Sequence, residues 1–270
     1  MSLSAAGLPG RILLVGAGNM GGAMLHRWID AGVVPENITV LDPGTPKLPA
    51  GVRHVGALPA EYTPDTLVLA IKPQQLDAFV AATPGLAPRL LVSILAGVEE
   101  ASLAARFAGA GAIVRAMPNL PVLIGKGVVA LHGADDDGEA QVAAEALMRP
   151  LGLVEWIAEE SMFDAVTALS GCGPGFVFRF AEALAEAGAA LGLPADQADR
   201  LARATLEGSG IMAASAVETP ATLADRVASP GGSTREGLNV LDADDALKTL
   251  LRKTLAASAR RNAEMAAAAR

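Results

Sequence analysis

Short apolar runs alternate with helical segments over the first 160 residues, and this alternation constrains the fold more than any other feature of the sequence. Apolar strands without polar alternation are typical of a sheet that helices cover on both faces. The pattern therefore predicts an α/β fold with a doubly wound, mostly parallel sheet. Strands are expected at residues 11–15, 38–41, 67–71, 90–95, 112–116, 126–130 and 153–157, helices at 20–31, 75–81, 99–108 and 139–151, and a polar loop at 132–138.

The pattern changes after Glu159, where strand-like runs end and alanine-rich helical segments follow. This change predicts two domains, an α/β domain over residues 1–159 and an all-α domain over residues 160–270. In the second domain, helices are expected at 161–169, 176–191, 195–217 and 246–269, with a break at 171–175 between the first two.

The composition favours a small-molecule ligand and contact between subunits. Hydrophobic residues make up 51% of the chain and aromatic residues 3%, which predicts a core of Ala, Leu, Val and Ile and a buried oligomer interface. The formal net charge is −8 and the 21 Lys and Arg are scattered, so nucleic acid and anionic membranes are poor candidate partners. An anionic ligand needs a local site, such as a helix N-terminus.

Three further features bear on the cellular setting. Cys172 is the only cysteine, so no intrachain disulfide is possible, and one cysteine does not make a metal site. The N-terminal stretch lacks a basic segment before a long apolar run, unlike a signal peptide. No uncharged apolar run approaches the length of a membrane span. The sequence predicts a soluble, cytoplasmic protein without a metal.

The first predicted strand leads through a G-x-G-x-x-G motif into a helix. Gly16 permits the tight turn, Gly18 lets the backbone approach a pyrophosphate, and Gly21 allows the helix to pack on the strand. The motif alone is weak, and a purely structural turn is the alternative. Its position between a strand and a helix favours a dinucleotide site, whose predicted residues are Gly16, Ala17, Gly18, Asn19, Met20 and Gly21.

Asp42 follows the second predicted strand, where a carboxylate can accept a hydrogen bond from the adenosine ribose 2′-OH and repel a 2′-phosphate. The loop that follows, residues 43–47, offers the hydroxyl of Thr45 and the cation of Lys47, which could hold that phosphate. The choice between NAD and NADP therefore stays open.

Further cofactor residues are predicted where other strands end, since ligands of such sheets lie at the carboxyl ends of the strands. Lys72 is expected to serve the cofactor or substrate, because a lysine is costly to bury there without a partner. Asn119 could orient a nicotinamide or cap a turn. The predicted residues at this edge are Ala70, Ile71, Lys72, Pro73, Ala96 and Asn119.

A stretch without helical character, SPGGST at residues 229–234, interrupts the alanine-rich second half. Proline and two successive glycines predict a tight loop that runs into a helix start. Such a loop presents hydroxyls and free backbone N–H groups to a small anion. An ordinary capped helix is the alternative.

Taken together, these motifs resemble pyrroline-5-carboxylate reductase, and the likeness runs from end to end of the chain. The loop at 229–234 is its most specific element. The resemblance implies a Rossmann domain at 1–159 and an all-helical substrate and dimerisation domain at 160–270 that interlocks with a second subunit. It also implies reduction of L-1-pyrroline-5-carboxylate to L-proline with NADPH or NADH. The motifs that carry it are GAGNMG at 16–21, AIKP at 70–73, AMPN at 116–119, LSGCGP at 169–174 and SPGGST at 229–234.

The resemblance also implies roles for individual residues. The amides of residues 231–234 would grip the substrate carboxylate, and the hydroxyl of Thr234 would bond the ring nitrogen as the catalytic group. Glu160 falls where the family has a residue near the substrate pocket. The active site would lie between one subunit's cofactor and the helical domain of its partner. The implied substrate residues are Ser229, Gly231, Gly232, Ser233, Thr234 and Glu160.

The chemistry implied here needs no strong general acid, because a protonated imine is already electrophilic. His26, His54 and His132 fall outside every motif and are expected to be structural or exposed. The chain departs from the family pattern at Cys172, where serine is usual, at Gly175 and Phe176, where Ala-Tyr is frequent, and at Leu120, where threonine is common.

Two other functions are compatible with a dinucleotide site. A 3-hydroxyacid dehydrogenase or broader imine reductase is expected to carry a lysine or aspartate on the interdomain helix, but residues 181–191 offer only Glu182 and Glu186 as charged groups. A non-catalytic NAD(P)-binding regulator has no need of the Thr234 hydroxyl.

Overall fold

The computed structural model describes residues 10–59, 62–134 and 137–268. In these residues eight strands form one sheet in the order β3-β2-β1-β4-β5-β6-β7-β8. Neighbouring strands are parallel except for the antiparallel pair β6 and β7, which confirms the predicted doubly wound α/β fold. The strands are β1 Ile12–Val15, β2 Ile38–Leu41, β3 Arg53–Val55, β4 Thr66–Leu69, β5 Leu90–Ser93, β6 Ala112–Pro118, β7 Gly127–Gly133 and β8 Gly152–Trp156.

Helices connect these strands and make up the second half of the chain. The helices are α1 Asn19–Asp30, α2 Leu76–Ala82, α3 Glu100–Arg106, α4 Gly138–Met148, α5 Phe163–Val166, α6 Gly173–Ala190, α7 Ala195–Ser215, α8 Pro220–Arg226, α9 Ser233–Asp242 and α10 Ala246–Ala268. The predicted helix at 246–269 extends one residue beyond the described part of the chain.

Three local predictions were wrong. The strand β3 was not expected, because its residues Arg53 and His54 are exposed on an edge strand and form no apolar run. The predicted loop at 132–138 begins too early: His132 lies within β7 and is buried, while residues 135 and 136 fall outside the described residues. The helix α8 was also not expected, although it carries a start signal, Thr219 accepting the N–H of Thr222 before Pro220.

The expected break at 171–175 is shorter than predicted. Residues Thr167–Gly171 form a π-helical turn, and the next helix already begins at Gly173. The N–H of Cys172 donates to the carbonyl of Thr167 at 2.8 Å, which closes the turn. Pro174 is tolerated because a proline in the first turn removes an N–H that has no acceptor within the helix.

Two apolar clusters cover the two faces of the sheet. One includes Met24, Leu25 and Trp28 of α1 and Leu147 of α4, and the indole N–H of Trp28 donates to the carbonyl of Leu147 at 2.8 Å. The other includes side chains of α2 and α3, such as Phe79. Helices on both faces therefore bury the central strands β1, β4 and β5 completely and leave their ends for ligands.

The chain divides into two compact units, one up to Cys172 together with residues from Ala259 onward, the other Gly173–Ser258. The domain boundary at residue 160 that composition predicts remains a prediction. In the described helices of the second unit, the buried hydrophobic residues are alanines, whereas Phe178, Phe180, Ile211 and Met212 are exposed. Within the described residues, no helix is both long and apolar enough to span a membrane.

Candidate active site

The three glycines of the G-x-G-x-x-G motif occupy different environments. Gly16 has a φ of +90°, and a Cβ there would lie 2.7 Å from the carbonyl oxygen of Ala70. A Cβ at Gly21 would lie 2.2 Å from the carbonyl oxygen of Gly16. No described atom lies within 4 Å of the Cβ position at Gly18. The fold therefore requires Gly16 and Gly21, while the space in front of Gly18 is open to a ligand.

The start of α1 offers backbone N–H groups next to that open space. Gly18 is the N-cap residue of this helix, and no side chain in the described part of the chain caps it. The first N–H groups of a helix have no partner within the helix and attract anions, a tendency that the helix dipole reinforces. Asn19 and Met20 thus present amides suited to a pyrophosphate.

Ala70 and Ile71 lie next to Gly16 of the glycine loop. The N–H of Ala70 donates to the carbonyl of Val15 at 2.8 Å, and the Cγ2 of Ile71 would be 3.1 Å from a Cβ at Gly16. These two predicted cofactor residues therefore limit the space around Gly16. Pro73 begins a short 3-10 turn at the same edge of the sheet.

Lys72 does not meet the expectation that was based on burial. The residue is exposed at the carboxyl end of β4, and it forms no ion pair with any described residue. Its cost of burial therefore gives no argument for a role, and contact with the cofactor remains a prediction for this side chain.

Asn119 is 7% exposed and is held at both ends of its amide. Its Oδ1 accepts the N–H of Val128 at 2.8 Å, and its Nδ2 donates to the carbonyl of Ser170 at 2.9 Å. This geometry favours the turn-capping alternative over contact with a nicotinamide, since the side chain ties β7 and the π-helical turn to the end of β6.

A cavity of about 260 Å³ adjoins the carboxyl ends of β5 and β6. Two predicted site residues, Ala96 and Glu160, line it together with Arg115 and Met117. The Arg115 guanidinium is buried, donates to Oε1 of Glu160 at 2.6 Å and stacks on the Phe163 ring, with Cζ 4.5 Å from the ring centroid. No motif in the sequence marks Arg115 as a site residue, although an arginine within an apolar strand is a signal that a buried partner exists.

The carboxylate of Glu160 accepts a second hydrogen bond on Oε1, from the N–H of Glu100 at 2.7 Å. Partial burial acts to raise the pKa of Glu160, but the hydrogen bonds from Glu100 and Arg115 and the positive charge of Arg115 outweigh it, and the pKa lies below its ordinary value of 4.5. The carboxylate is therefore charged at neutral pH and already paired with a protein cation.

Glu160→Gln is expected to lower the thermal midpoint at pH 7 by an amount that corresponds to about 2 kcal/mol, because glutamine cannot neutralise the buried Arg115. The folded-state pKa of Glu160 lies below its unfolded value, so its stabilising contribution is present above pH 4.5 and is lost as pH falls through the folded-state pKa. Thermal melts at fixed protein concentration should show that the difference in thermal midpoint between the variant and wild type becomes smaller as the pH falls below 4.5. The exposed Glu155→Gln is the control with no expected effect, and a gap independent of pH would contradict the assignment.

The loop at 229–234 has the predicted conformation. The N–H of Gly232 donates to the carbonyl of Ser229 at 3.0 Å, Gly231 has a φ of +68°, and α9 begins at Ser233. The side chains of Ser229, Ser233 and Thr234 are exposed, and no described side chain caps the helix. The hydroxyls and first-turn N–H groups are thus placed for an external anion.

The side chain of Arg235 links this loop to α8, a contact that no motif in the sequence predicts. Its guanidinium donates to Asp225 of α8 at 2.7 Å and approaches the carbonyl of Ala228 at 3.5 Å. An ion pair between residues ten positions apart has no periodic signature, so only the structure reveals it.

Comparison with known proteins agrees with this arrangement. Residues 160–265 match the family described as pyrroline-5-carboxylate reductase dimerisation, and residues 11–97 match the family described as NADP oxidoreductase coenzyme F420-dependent. The pyrroline-5-carboxylate reductase of Pseudomonas aeruginosa is 36% identical over 265 residues, which covers 95% of this chain and 97% of the relative. The chain belongs to the pyrroline-5-carboxylate reductase family.

Solved structures of pyrroline-5-carboxylate reductases share the fold. The enzyme from Coxiella burnetii superposes with a TM-score of 0.86 at 30% identity, covering 95% of this chain and 98% of that chain. The enzyme from Plasmodium falciparum, whose crystal structure has NADP bound, gives a TM-score of 0.82 at 27% identity, covering 96% of this chain and 100% of that chain. The resemblance seen in the sequence motifs is confirmed, and the pyrroline-5-carboxylate reductase fold spans nearly the whole chain.

Proposed function

We propose that this chain reduces L-1-pyrroline-5-carboxylate to L-proline by hydride transfer from NADPH or NADH, the last step of proline biosynthesis. The observation that carries the proposal is the loop at 229–234, where exposed hydroxyls precede a helix start that no described side chain caps. Membership of the pyrroline-5-carboxylate reductase family supports it.

The residues present fit a dinucleotide. The open space at Gly18 and the free amides of Asn19 and Met20 suit a pyrophosphate, which carries negative charge. The nicotinamide, when bound, supplies the hydride. Ala96 lines the cavity at the carboxyl edge of the sheet, where the reactive end of the cofactor is expected.

The substrate is an anion with an imine nitrogen, and the 229–234 loop suits both features. Amides at residues 231–234 would bind the carboxylate, which counters the unfavourable net charge of −8. The Thr234 hydroxyl would hydrogen-bond the ring nitrogen as the planar imine becomes a pyramidal amine. A protonated imine accepts hydride at carbon without a further acid, so the chain has to position the substrate and exclude competing reactions.

The direct test is consumption of NADPH or NADH by the purified chain. Absorbance of the reduced cofactor is expected to fall only when pyrroline-5-carboxylate is added, with L-proline formed in equal amount. Oxidation of the cofactor with other imines or 3-oxo acids, but not with pyrroline-5-carboxylate, would favour the rival reductases, and no oxidation with any of them would favour a regulator.

We infer that the chain acts as a homodimer or larger homo-oligomer built on interlocked helical domains, with each active site assembled from the cofactor domain of one subunit and the 229–234 loop of its partner. The match of residues 160–265 to a dimerisation family supports this arrangement. The exposed Phe178, Phe180, Ile211 and Met212 also support it, because they lie on the adjacent helices α6 and α7, and large apolar side chains grouped on a surface indicate an interaction site. An active monomer of 27.3 kDa in sedimentation at assay concentration would contradict it.

Mixing two variants of low activity tests the shared site. In a mixed dimer of Gly18→Val and Thr234→Ala, one of the two shared sites receives both defects and the other receives none. Random exchange of subunits in a two-fold dimer is therefore expected to restore about a quarter of wild-type activity. Sites built within single chains would all carry one defect, and the activity of the mixture would not exceed the average of the two separate variants.

A further inference from the structure

The carboxylate of Asp42 is bound by the protein's own backbone at the edge of the glycine loop. Oδ2 accepts the N–H of Ala17 at 2.8 Å, and Oδ1 accepts the N–H of Gly44 at 2.8 Å. The main-chain N–H of Asp42 donates to the carbonyl of Val55 at 3.2 Å, and the carbonyl of Asp42 accepts the Nε2–H of His54 at 2.9 Å. Every polar atom of Asp42 thus has a protein partner, and the partners come from three separate segments.

These bonds divide the amides of the glycine loop into two groups. The N–H of Gly16 donates to the carbonyl of Leu41 at 2.9 Å, and the N–H of Ala17 donates to Asp42. The first two amides therefore attach the loop to the end of β2. The amides that follow, at the start of α1, have no capping side chain in the described residues and remain for a phosphate.

We propose that Asp42 is a positioning residue that holds the glycine loop in its anion-binding shape. This inference rests on the proposed dinucleotide site. Two charge-assisted hydrogen bonds, from the N–H groups of Ala17 and Gly44, fix the carboxylate against the glycine loop.

The two roles open to Asp42 predict opposite signs for the same substitution. If Asp42 bound the ribose, its removal would weaken NADH binding by loss of the 2′-OH contact and would strengthen NADPH binding by relief of repulsion. If Asp42 holds the loop, its removal disturbs the amides that bind the pyrophosphate, which both cofactors share. Both cofactors then bind more weakly and by the same factor.

The experiment measures dissociation constants for NADH and NADPH by nicotinamide fluorescence, and for ADP and 2′,5′-ADP by calorimetry. Asp42→Asn keeps one acceptor oxygen and is expected to raise all four constants about 10-fold, and Asp42→Ala, which keeps none, is expected to raise them further. A positioning role also predicts a higher KM for the cofactor with kcat little changed. A merely destabilised protein would lose kcat through loss of folded enzyme.

Asp65→Asn is the matched control. Asp65 Oδ2 accepts the N–H of Arg11 at 2.7 Å, so this variant makes the same change of charge and weakens the same type of bond at the opposite end of β1. Its four dissociation constants are expected to match those of wild type.

Tighter NADPH binding by Asp42→Asn, or weaker binding of NADH alone, would overturn the loop-holding role. Unchanged dissociation constants for all four ligands in both Asp42→Asn and Asp42→Ala would overturn it as well. These are binding measurements on the wild-type chain and its variants without substrate. A chain that binds dinucleotides as described but leaves pyrroline-5-carboxylate unreduced would refute the proposed function and not this inference.

Discussion

Gly18→Val is expected to abolish dinucleotide binding and to leave the fold intact. The valine side chain would enter a space with no described atom within 4 Å of its Cβ, so the protein accommodates it. That same space is where the pyrophosphate has to approach the amides of Asn19 and Met20. Loss of two hydrogen bonds to a charged group costs about 3–6 kcal/mol, which is a loss of affinity of about 100-fold or more. Cofactor titration and thermal melts of the same samples would measure both halves of this expectation.

Two neighbouring glycines provide controls for Gly18→Val. Gly22→Ala places a Cβ 3.4 Å from the carbonyl oxygen of Ala17, an ordinary contact, and should keep both fold and affinity. Gly21→Val would force a side chain against the carbonyl oxygen of Gly16, and it should lower the thermal midpoint whether or not cofactor is present. Near wild-type affinity in Gly18→Val would show that the cofactor lies elsewhere.

Thr234→Ala is expected to lower kcat/KM for pyrroline-5-carboxylate by about 10- to 150-fold, because loss of a hydrogen bond to a charged group costs about 1.5–3 kcal/mol. Thr234 is exposed in the first turn of α9, where its side chain makes no capping bond, so the variant should fold normally. Cofactor affinity, measured by titration without substrate, should be unchanged, since the glycine loop is untouched.

Thr234→Ser separates the hydroxyl from the methyl group. The serine variant should recover most of the activity if the hydrogen bond to the ring nitrogen is the functional contact. Equal losses in the alanine and serine variants would assign the effect to packing of the methyl. Full activity in both would leave the 229–234 loop as an ordinary start of a helix.

Much of the fold could be predicted because its signals are local. Apolar runs such as residues 38–41 coincide with the strand Ile38–Leu41, and the glycine motif lies between β1 and α1 as expected. The missed strand Arg53–Val55 has exposed polar residues because it lies at the sheet edge, where burial does not select apolar side chains.

The candidate site was predictable only where one segment supplies the geometry. The turn at Gly16 and the loop before Ser233 are set by glycine conformations that a short stretch encodes. The partners of Asp42 and Arg115 come from distant segments, and a sequence does not display which carboxylate meets which N–H or guanidinium. The expectation that Lys72 is buried was wrong for the same reason, because exposure at a strand end depends on neighbours from elsewhere in the chain.

The antiparallel pairing of β6 with β7 has a consequence for the order in which the sheet can assemble. Its partners nearest in sequence, Pro118 and Val129, are joined by residues 119–128, whereas the parallel pair of Ile12 and Thr66 must first bring together distant parts of the chain. Closing a short loop loses less chain entropy, and local contacts form faster than long-range ones. The hairpin is therefore the pairing most accessible to the unfolded chain. Because the hairpin carries Arg115 and Asn119, we expect the pairing that closes first to bring together the residues that tether the segment 160–170.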